Sequence, residues 1–171
     1  MKPGDHPDFF RLPAPEGRSR ESTILLDAKG RFWHDGAPVE HAGLAAALRT
    51  WIRRHPIDGR YILSNGYDWT YFTVEDSPFF VDSLHVYDDR VTLVLSDGSE
   101  EQWDIASSRL SDDGALYARV KRGSEVGLCE ARFTPHALAA LSPFLVEGES
   151  GPLVRIGTKQ YALGGSKASN A

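Results

Sequence analysis

The spacing of apolar residues changes period several times along this chain, and each change marks the edge of an element. Thr23 to Asp27 and Arg31 to His34 predict two short strands joined by an Ala28-Lys29-Gly30 turn, and Asp35-Gly36 turns the chain again. From Glu40 the period lengthens. Leu44, Leu48, Trp51 and Ile52 fall on one helical face and Ala45, Ala46 and Ala47 add propensity, which predicts an amphipathic helix of about 14 residues. Pro56 stops it, so Arg53-Arg54-His55 reads as a basic helix end that complements the dipole. Asp58-Gly59 then turns into a half-buried strand, Arg60 to Ser64, and Asn65-Gly66 turns into the next, Trp69 to Glu75.

An aromatic, strand-like run from Tyr71 to Val86 is interrupted at Val74-Glu75-Asp76-Ser77-Pro78-Phe79-Phe80. Proline fixes its own φ and pushes the preceding residue out of the helical region, so the strand bends or ends there. Beyond it, Phe80 to Tyr87, Arg90 to Leu95 and Glu101 to Ile105 predict an antiparallel meander, with Asp88-Asp89 and Ser96-Asp97-Gly98-Ser99 as its turns. After a polar break come strands at Leu116 to Lys121 and Val126 to Phe133. A helix capped by Thr134-Pro135 runs to about Leu145, with Leu138, Leu141 and Leu145 on its face, and short strands follow at Leu153 to Ile156 and Gln160 to Leu163.

The resulting fold class is α+β, mostly antiparallel, with a central β-meander. The order strand-strand-helix-strand-strand occurs at residues 23 to 75 and again at 116 to 163, and either an internal duplication or two unrelated α+β units would produce it. Expected domains are a proline-rich N-terminal arm over 1–20, anchored by Phe9, Phe10 and Leu12, an N-terminal half with the meander over 21–105, a C-terminal ββαββ half over 106–164, and a disordered tail over 165–171.

Composition narrows the function. The formal charge of −5 and scattered arginines disfavour nucleic acid, which needs a dense positive face. No apolar stretch approaches the roughly 20 residues of a membrane span, and Met1 to Pro7 hold no apolar segment that could act as a signal peptide, so a cytoplasmic protein with no membrane partner is expected. One cysteine, Cys129, excludes an intrachain disulfide and shares strand parity with Ala131 and Phe133, the pattern of a core position. The six histidines lack metal-ligand spacing, and no glycine-rich phosphate cradle or serine-hydrolase elbow occurs, so no metal and no cofactor is expected. Nothing in the sequence sets an oligomeric state.

The candidate chemistry is sparse. Glu75 and Asp76, beside Phe79 and Phe80, could form an acid-base pair or bind a cation or amine. In the structural alternative Asp76 accepts backbone amides in the turn and Glu75 faces water or an arginine. Trp33 and Trp69 read as the freer indoles and Trp51 as helix core. Arg132, on the strand face opposite Cys129, either holds a carboxylate or phosphate ligand or pairs with Glu130 or Asp104.

Several pieces together resemble the bacterial domain-of-unknown-function family 1285: Phe32-Trp33-His34-Asp35-Gly36, Asp58-Gly59-Arg60-Tyr61-Ile62-Leu63, Val74-Glu75-Asp76-Ser77-Pro78-Phe79, Glu130-Ala131-Arg132 and the segment 157–164. The resemblance implies a two-part α+β fold and, for function, ligand sensing or signalling. The chain departs from the family's pattern at residues 65–70. Together these features predict a non-enzymatic small-ligand-binding or signalling module with its site, formed by Glu75, Asp76, Trp33, Trp69 and Arg132, between the two halves. The alternatives are a small hydrolase or isomerase using Glu75 or Asp76, and a protein-interaction scaffold.

Overall fold

The chain leaves one folded unit and enters another after Pro78, just past the bend at Glu75-Asp76: Met1–Pro78 with the excursion Gly123–Leu128 make the first unit, and Phe79–Arg122 with the chain from Cys129 on make the second. The computed structural model describes residues 1–164. Its strands, in mostly antiparallel sheets, and its two α-helices make an α+β fold, as the periodicities predict. None of the helices among the described residues is long and apolar enough to cross a membrane.

The first unit contains β1 (Leu25–Leu26), β2 (Phe32–His34), β3 (Ala37–Pro38), α1 (Ala42–Trp51), β4 (Ile52–Arg54), β5 (Tyr61–Ser64), β6 (Trp69–Tyr71) and β7 (Thr73–Val74). They form two sheets, ordered β3-β2-β1-β7 and β4-β5-β6. The turn between β1 and β2 is organised by the buried Asp27, whose carboxylate accepts from the Lys29 and Arg31 amides at 2.9 Å each, from Arg31 Nε at 3.1 Å and from Trp33 Nε1 at 2.9 Å.

α1 is shorter than its periodicity predicts. It begins at a His41 cap that accepts from the Leu44 amide at 3.0 Å and ends at Trp51, where the chain passes directly into β4. Cross-strand pairing of Ile52, Arg53 and Arg54 with Leu63, Ile62 and Tyr61 outweighs helix continuation, and Pro56 favours an extended residue before it. Arg53 and Arg54 are thus strand residues rather than the basic end of a helix. The predicted strand Trp69 to Glu75 also divides: β6 pairs with β5, and after Phe72 the chain crosses to pair β7 in parallel with β1.

The N-terminal segment, expected as an extended arm, carries 3-10 turns at Pro3–Asp5 and Phe9–Arg11. Phe9 and Phe10 are buried with Ile62 and Trp69, so two of the expected anchors hold, whereas Leu12 is 53% exposed.

The second unit holds β8 (Phe79–Tyr87), β9 (Arg90–Leu95), β10 (Glu100–Gln102), β11 (Arg109–Leu110), β12 (Leu116–Val120), β13 (Cys129–Phe133), α2 (Pro135–Leu141), β14 (Leu145–Gly148), β15 (Gly151–Ile156) and β16 (Lys159–Ala162). The predicted meander β8-β9-β10 is present. It belongs here rather than with the N-terminal half because β8 pairs in parallel with β13, giving one sheet ordered β10-β9-β8-β13-β12-β11. Cys129, Ala131 and Phe133 face its core, as their parity predicts. Thr134 caps α2, accepting from the Ala137 amide at 3.1 Å. The helix gives way to a 3-10 turn at Ser142–Phe144, which puts Leu145 in β14 instead of on the helix face. β14, β15 and β16 form an antiparallel sheet of their own.

Both ends of the chain thus run hairpin, helix, antiparallel triplet. The parallel neighbour joins the first strand of the hairpin in one case, β1 with β7, and the second strand in the other, β13 with β8. The two ends share an order of elements and not an order of pairing. The tail expected to be disordered, 165–171, lies outside the described residues.

Candidate functional site

A cavity lies in the first unit, where α1 runs into β4. It encloses about 420 Å³, and its walls come from the N-terminal 3-10 turn, the α1–β4 junction, the Ser64–Gly66 turn and the excursion at Glu125 and Val126. Each wall is held locally. Gly4 donates its amide to the Gly66 carbonyl at 2.8 Å. Glycine suits both positions, since a Cβ at Gly4 would lie 3.0 Å from the Gly66 backbone and Gly66 has a positive φ of 85°. Asn65 folds its own turn, its side-chain carbonyl accepting from the Tyr67 and Asp68 amides at 2.8 and 2.9 Å. The excursion is tied to β4 by the Arg54 amide, which donates to the Val126 carbonyl at 2.8 Å, and by Arg54 Nε, which donates to the Leu128 carbonyl at 2.7 Å.

Strand alternation then separates two adjacent arginines. Arg54 turns toward Tyr61, 4.6 Å from its ring, and its guanidinium is engaged by the Leu128 and Gly59 carbonyls and the Tyr61 hydroxyl. Arg53 turns the other way and lines the cavity, its guanidinium 4.5 Å from the Phe10 ring centroid. Arg53 Nε is buried, and none of the described residues accepts a hydrogen bond from it. Burial pushes the Arg53 pKa down, and the charge of Glu125, on the same cavity wall, acts in the opposite sense.

Phe10 is fixed beneath this arginine by a buried cluster. His55 Nε2 donates to the Phe10 carbonyl at 3.0 Å while Nδ1 accepts from the Ile57 amide at 3.2 Å, an arrangement that uses the Nε2–H tautomer. Trp69 packs 5.0 Å from the His55 ring and donates its Nε1 to the Phe9 carbonyl at 3.3 Å. Arg20 lies 4.4 Å from the Trp69 ring and bonds Asp68 at 2.6 Å and the Trp69 carbonyl at 2.8 Å.

A second, smaller cavity of about 170 Å³ adjoins the first, with Trp51 and Asn65 among the lining residues of both. Its other walls include Leu48, Leu63 and Trp69, all buried. Trp51, read from the sequence as helix core, is half-buried. Trp33, Trp69 and Trp103 donate their indole N–H to Asp27, the Phe9 carbonyl and Ser108, whereas the Trp51 indole donates to none of the described residues.

The residues singled out in the sequence are dispersed. Trp33 and Glu75 come together in a shallower groove of about 260 Å³ with Asp27, Lys29 and Arg31. Glu75 is exposed and donates its amide to the Leu26 carbonyl at 2.9 Å, and Asp76 is exposed beside it. Trp69 lines the small apolar cavity. Arg132 belongs to the second unit, on β13, where it donates to the Tyr117 hydroxyl at 3.3 Å, and the nearby Glu130 forms a two-bond pair with Arg109 at 2.8 and 2.9 Å. Arg53 was missed because it was assigned to a helix, and Trp51, correctly placed in one, was missed because it was read as that helix's core. The available signal was His55-Pro56, which favours extended backbone ahead of the proline.

The class these features define is an α+β protein with a cavity in its N-terminal unit that is floored by Phe10 and lined by charges of both signs, Lys2 and Arg53 with Asp5 and Glu125. Its fold is that of solved DUF1285 family proteins. One, from Silicibacter pomeroyi DSS-3, matches with a TM-score of 0.66 over 95% of this chain and 96% of its own at 14% identity. Another, from Shewanella baltica OS155, matches with a TM-score of 0.53 over 68% of this chain and 87% of its own at 20% identity. At such identities the likeness is one of fold, and the resemblance read in the sequence motifs is carried at that level. No protein-family model and no curated protein matches the sequence.

Proposed function

We propose that this chain is a non-enzymatic small-ligand-binding module whose ligand carries an anionic group held by Arg53. The observation that carries the reading is the buried Arg53 Nε, which none of the described residues supplies with an acceptor. A buried donor without an acceptor costs about 1–3 kcal/mol, so it is retained most readily where a ligand supplies the acceptor. A guanidinium also presents a planar fork matched to carboxylate or phosphate oxygens. The contact with the Phe10 ring, 4.5 Å from its centroid, restrains the side chain, so less side-chain freedom is lost when an anion docks. Of the residues singled out in the sequence, Trp69 takes part through the adjoining apolar cavity. The hydrolase or isomerase reading through Glu75 or Asp76 is less well supported, since both are exposed and neither lines the Arg53 cavity.

The test is a thermal-shift screen of the parent, Arg53→Gln and Arg53→Lys against mono- and dicarboxylates, sugar phosphates and inorganic phosphate. At least one anion should raise the melting temperature of the parent, with the response lost in Arg53→Gln and weakened in Arg53→Lys. An equal response in all three proteins, or stabilisation by uncharged compounds alone, would remove the basis of the reading.

A further inference from the structure

Resting on that reading, we propose that the ligand is a carboxylate bearing a benzene-sized apolar group, with its anion at Arg53 and its ring in the small cavity lined by Trp51. The two cavities differ in chemistry and share Trp51 and Asn65. The larger is lined by Arg53 and Lys2 together with Asp5 and Glu125, while the smaller is walled mainly by the buried Leu48, Leu63 and Trp69, with Asp68 and Thr70 also on its lining. A small anion such as phosphate would use the first and leave the second unfilled.

Size selects the apolar group. The smaller space is an open groove of about 170 Å³, close to the roughly 150 Å³ that holds a benzene ring in a closed apolar cavity. A single six-membered ring suits that space, and a long acyl chain does not.

The two shared residues have different freedom. Asn65 is fixed by its own turn, since its carbonyl oxygen holds two amides. Trp51 ends α1, is half-buried, and its indole N–H is unused by the described residues. It is the partition that can move aside for a ligand spanning both spaces, and its N–H is a donor such a ligand can engage.

The experiment is an NMR titration of the ¹⁵N-labelled full chain with acetate, inorganic phosphate, 3-phenylpropionate and 3-phenylpropan-1-ol, following the Trp51 indole N–H peak assigned through Trp51→Phe. 3-Phenylpropionate should bind at least about tenfold tighter than acetate, as expected from burying a ring, and should shift the Trp51 indole peak. The alcohol should bind much more weakly, and Arg53→Gln should bring the acid down to the alcohol's affinity. Leu48→Phe, which fills the small cavity instead of enlarging it, should abolish the gain over acetate while leaving acetate binding intact. Arg53-dependent binding of acetate and phosphate with no gain from the ring would overturn this inference and leave the anion-binding function standing. Failure of every anion to bind would overturn both.

Discussion

Arg53 places its guanidinium carbon 4.5 Å from the centroid of the Phe10 ring, yet its Nε has no acceptor among the described residues. A cation–π contact contributes about 0.5–2 kcal/mol, comparable to the cost of the unmet donor. The pair therefore holds an arginine in place without satisfying it. Arg20, against Trp69, shows the contrast: its Nε is likewise unmet, but its terminal nitrogens bond Asp68 and the carbonyls of Trp69, Leu12 and Pro13.

From this follows a stability prediction for Arg53 in the ligand-free protein. Arg53→Met keeps the apolar contact with Phe10 and removes the unmet donor and the half-buried charge. Urea unfolding should show no loss and a gain of up to about 1 kcal/mol. A loss of more than about 1 kcal/mol would mean that Arg53 is a structural residue whose interactions are already satisfied.

Asp27 predicts an acid-sensitive first unit. Burial acts to raise its pKa, but the Trp33 indole, the Arg31 and Lys29 amides and the Arg31 side chain outweigh it and hold the carboxyl below the usual carboxylate value. Because the folded pKa lies below the unfolded one, this stabilisation is fully present above roughly pH 4 and is lost as pH falls through the lowered folded value. Asp27→Asn turns an amide NH₂ toward donors at Arg31 Nε or Trp33 Nε1, or toward the backbone amides. It should cost about 1–3 kcal/mol at pH 7, and a plot of stability against pH should be flatter below pH 4 than for the parent. Parallel parent and variant curves would assign the acid sensitivity elsewhere.

In the second unit, Lys121 pairs with Asp97 at 2.6 Å and with Ser99 Oγ at 2.7 Å, both charged side chains being nearly buried. Ser99 in turn donates to Asp97 at 2.6 Å. Asp97 feels burial raising its pKa and the Lys121 and Ser99 bonds lowering it further than burial raises it. Removing one member strands the other charge, so Lys121→Met should cost about 3–5 kcal/mol. The double variant Lys121→Met, Asp97→Leu should recover a large part of that cost. Equal costs for the single and double variants would show that the pair is not coupled.

How much was legible in the sequence depended on whether local chemistry or pairing decided an element. The Thr134-Pro135 cap, the Ser96–Ser99 turn and the alternation of Cys129, Ala131 and Phe133 are decided within a few residues, and each lies where it was read. The end of α1 is decided by the Ile52↔Leu63 pairing, which no local period reveals, and the error passed from the helix to Arg53. The same cause hid β14, whose residues at Leu145 and Val146 continue a helical spacing until their partners Val154 and Leu153 are known. The site was less legible than the fold because its anchor is defined by what Arg53 lacks, and a missing acceptor has no sequence signature. The carboxylate pair at Glu75-Asp76 drew attention because it interrupts a strand-like run, and its place is an exposed bend near the end of the first unit's N-terminal segment.

The N-terminal turn supplies the last prediction, since it forms a wall of the Arg53 cavity through Lys2, Gly4 and Asp5. Its position depends on the approach of Gly4 to Gly66, where the added Cβ of Gly4→Ala would meet backbone atoms at 3.0 Å. Backbone cannot swing away as a side chain can, so the turn must shift and stretch the 2.8 Å bond from the Gly4 amide to the Gly66 carbonyl. The expected stability loss is small, about 0.5–1.5 kcal/mol for one hydrogen bond. The larger effect should be on binding: an anion that needs Arg53 should lose affinity several-fold as the wall retreats. Gly17→Ala is the control, because Gly17 has a positive φ of 74° but open space around it and does not line the cavity. It should show backbone strain in melting and no change in anion affinity. If Gly4→Ala binds the anion as the parent does, the N-terminal turn is packing beside the site and no part of it.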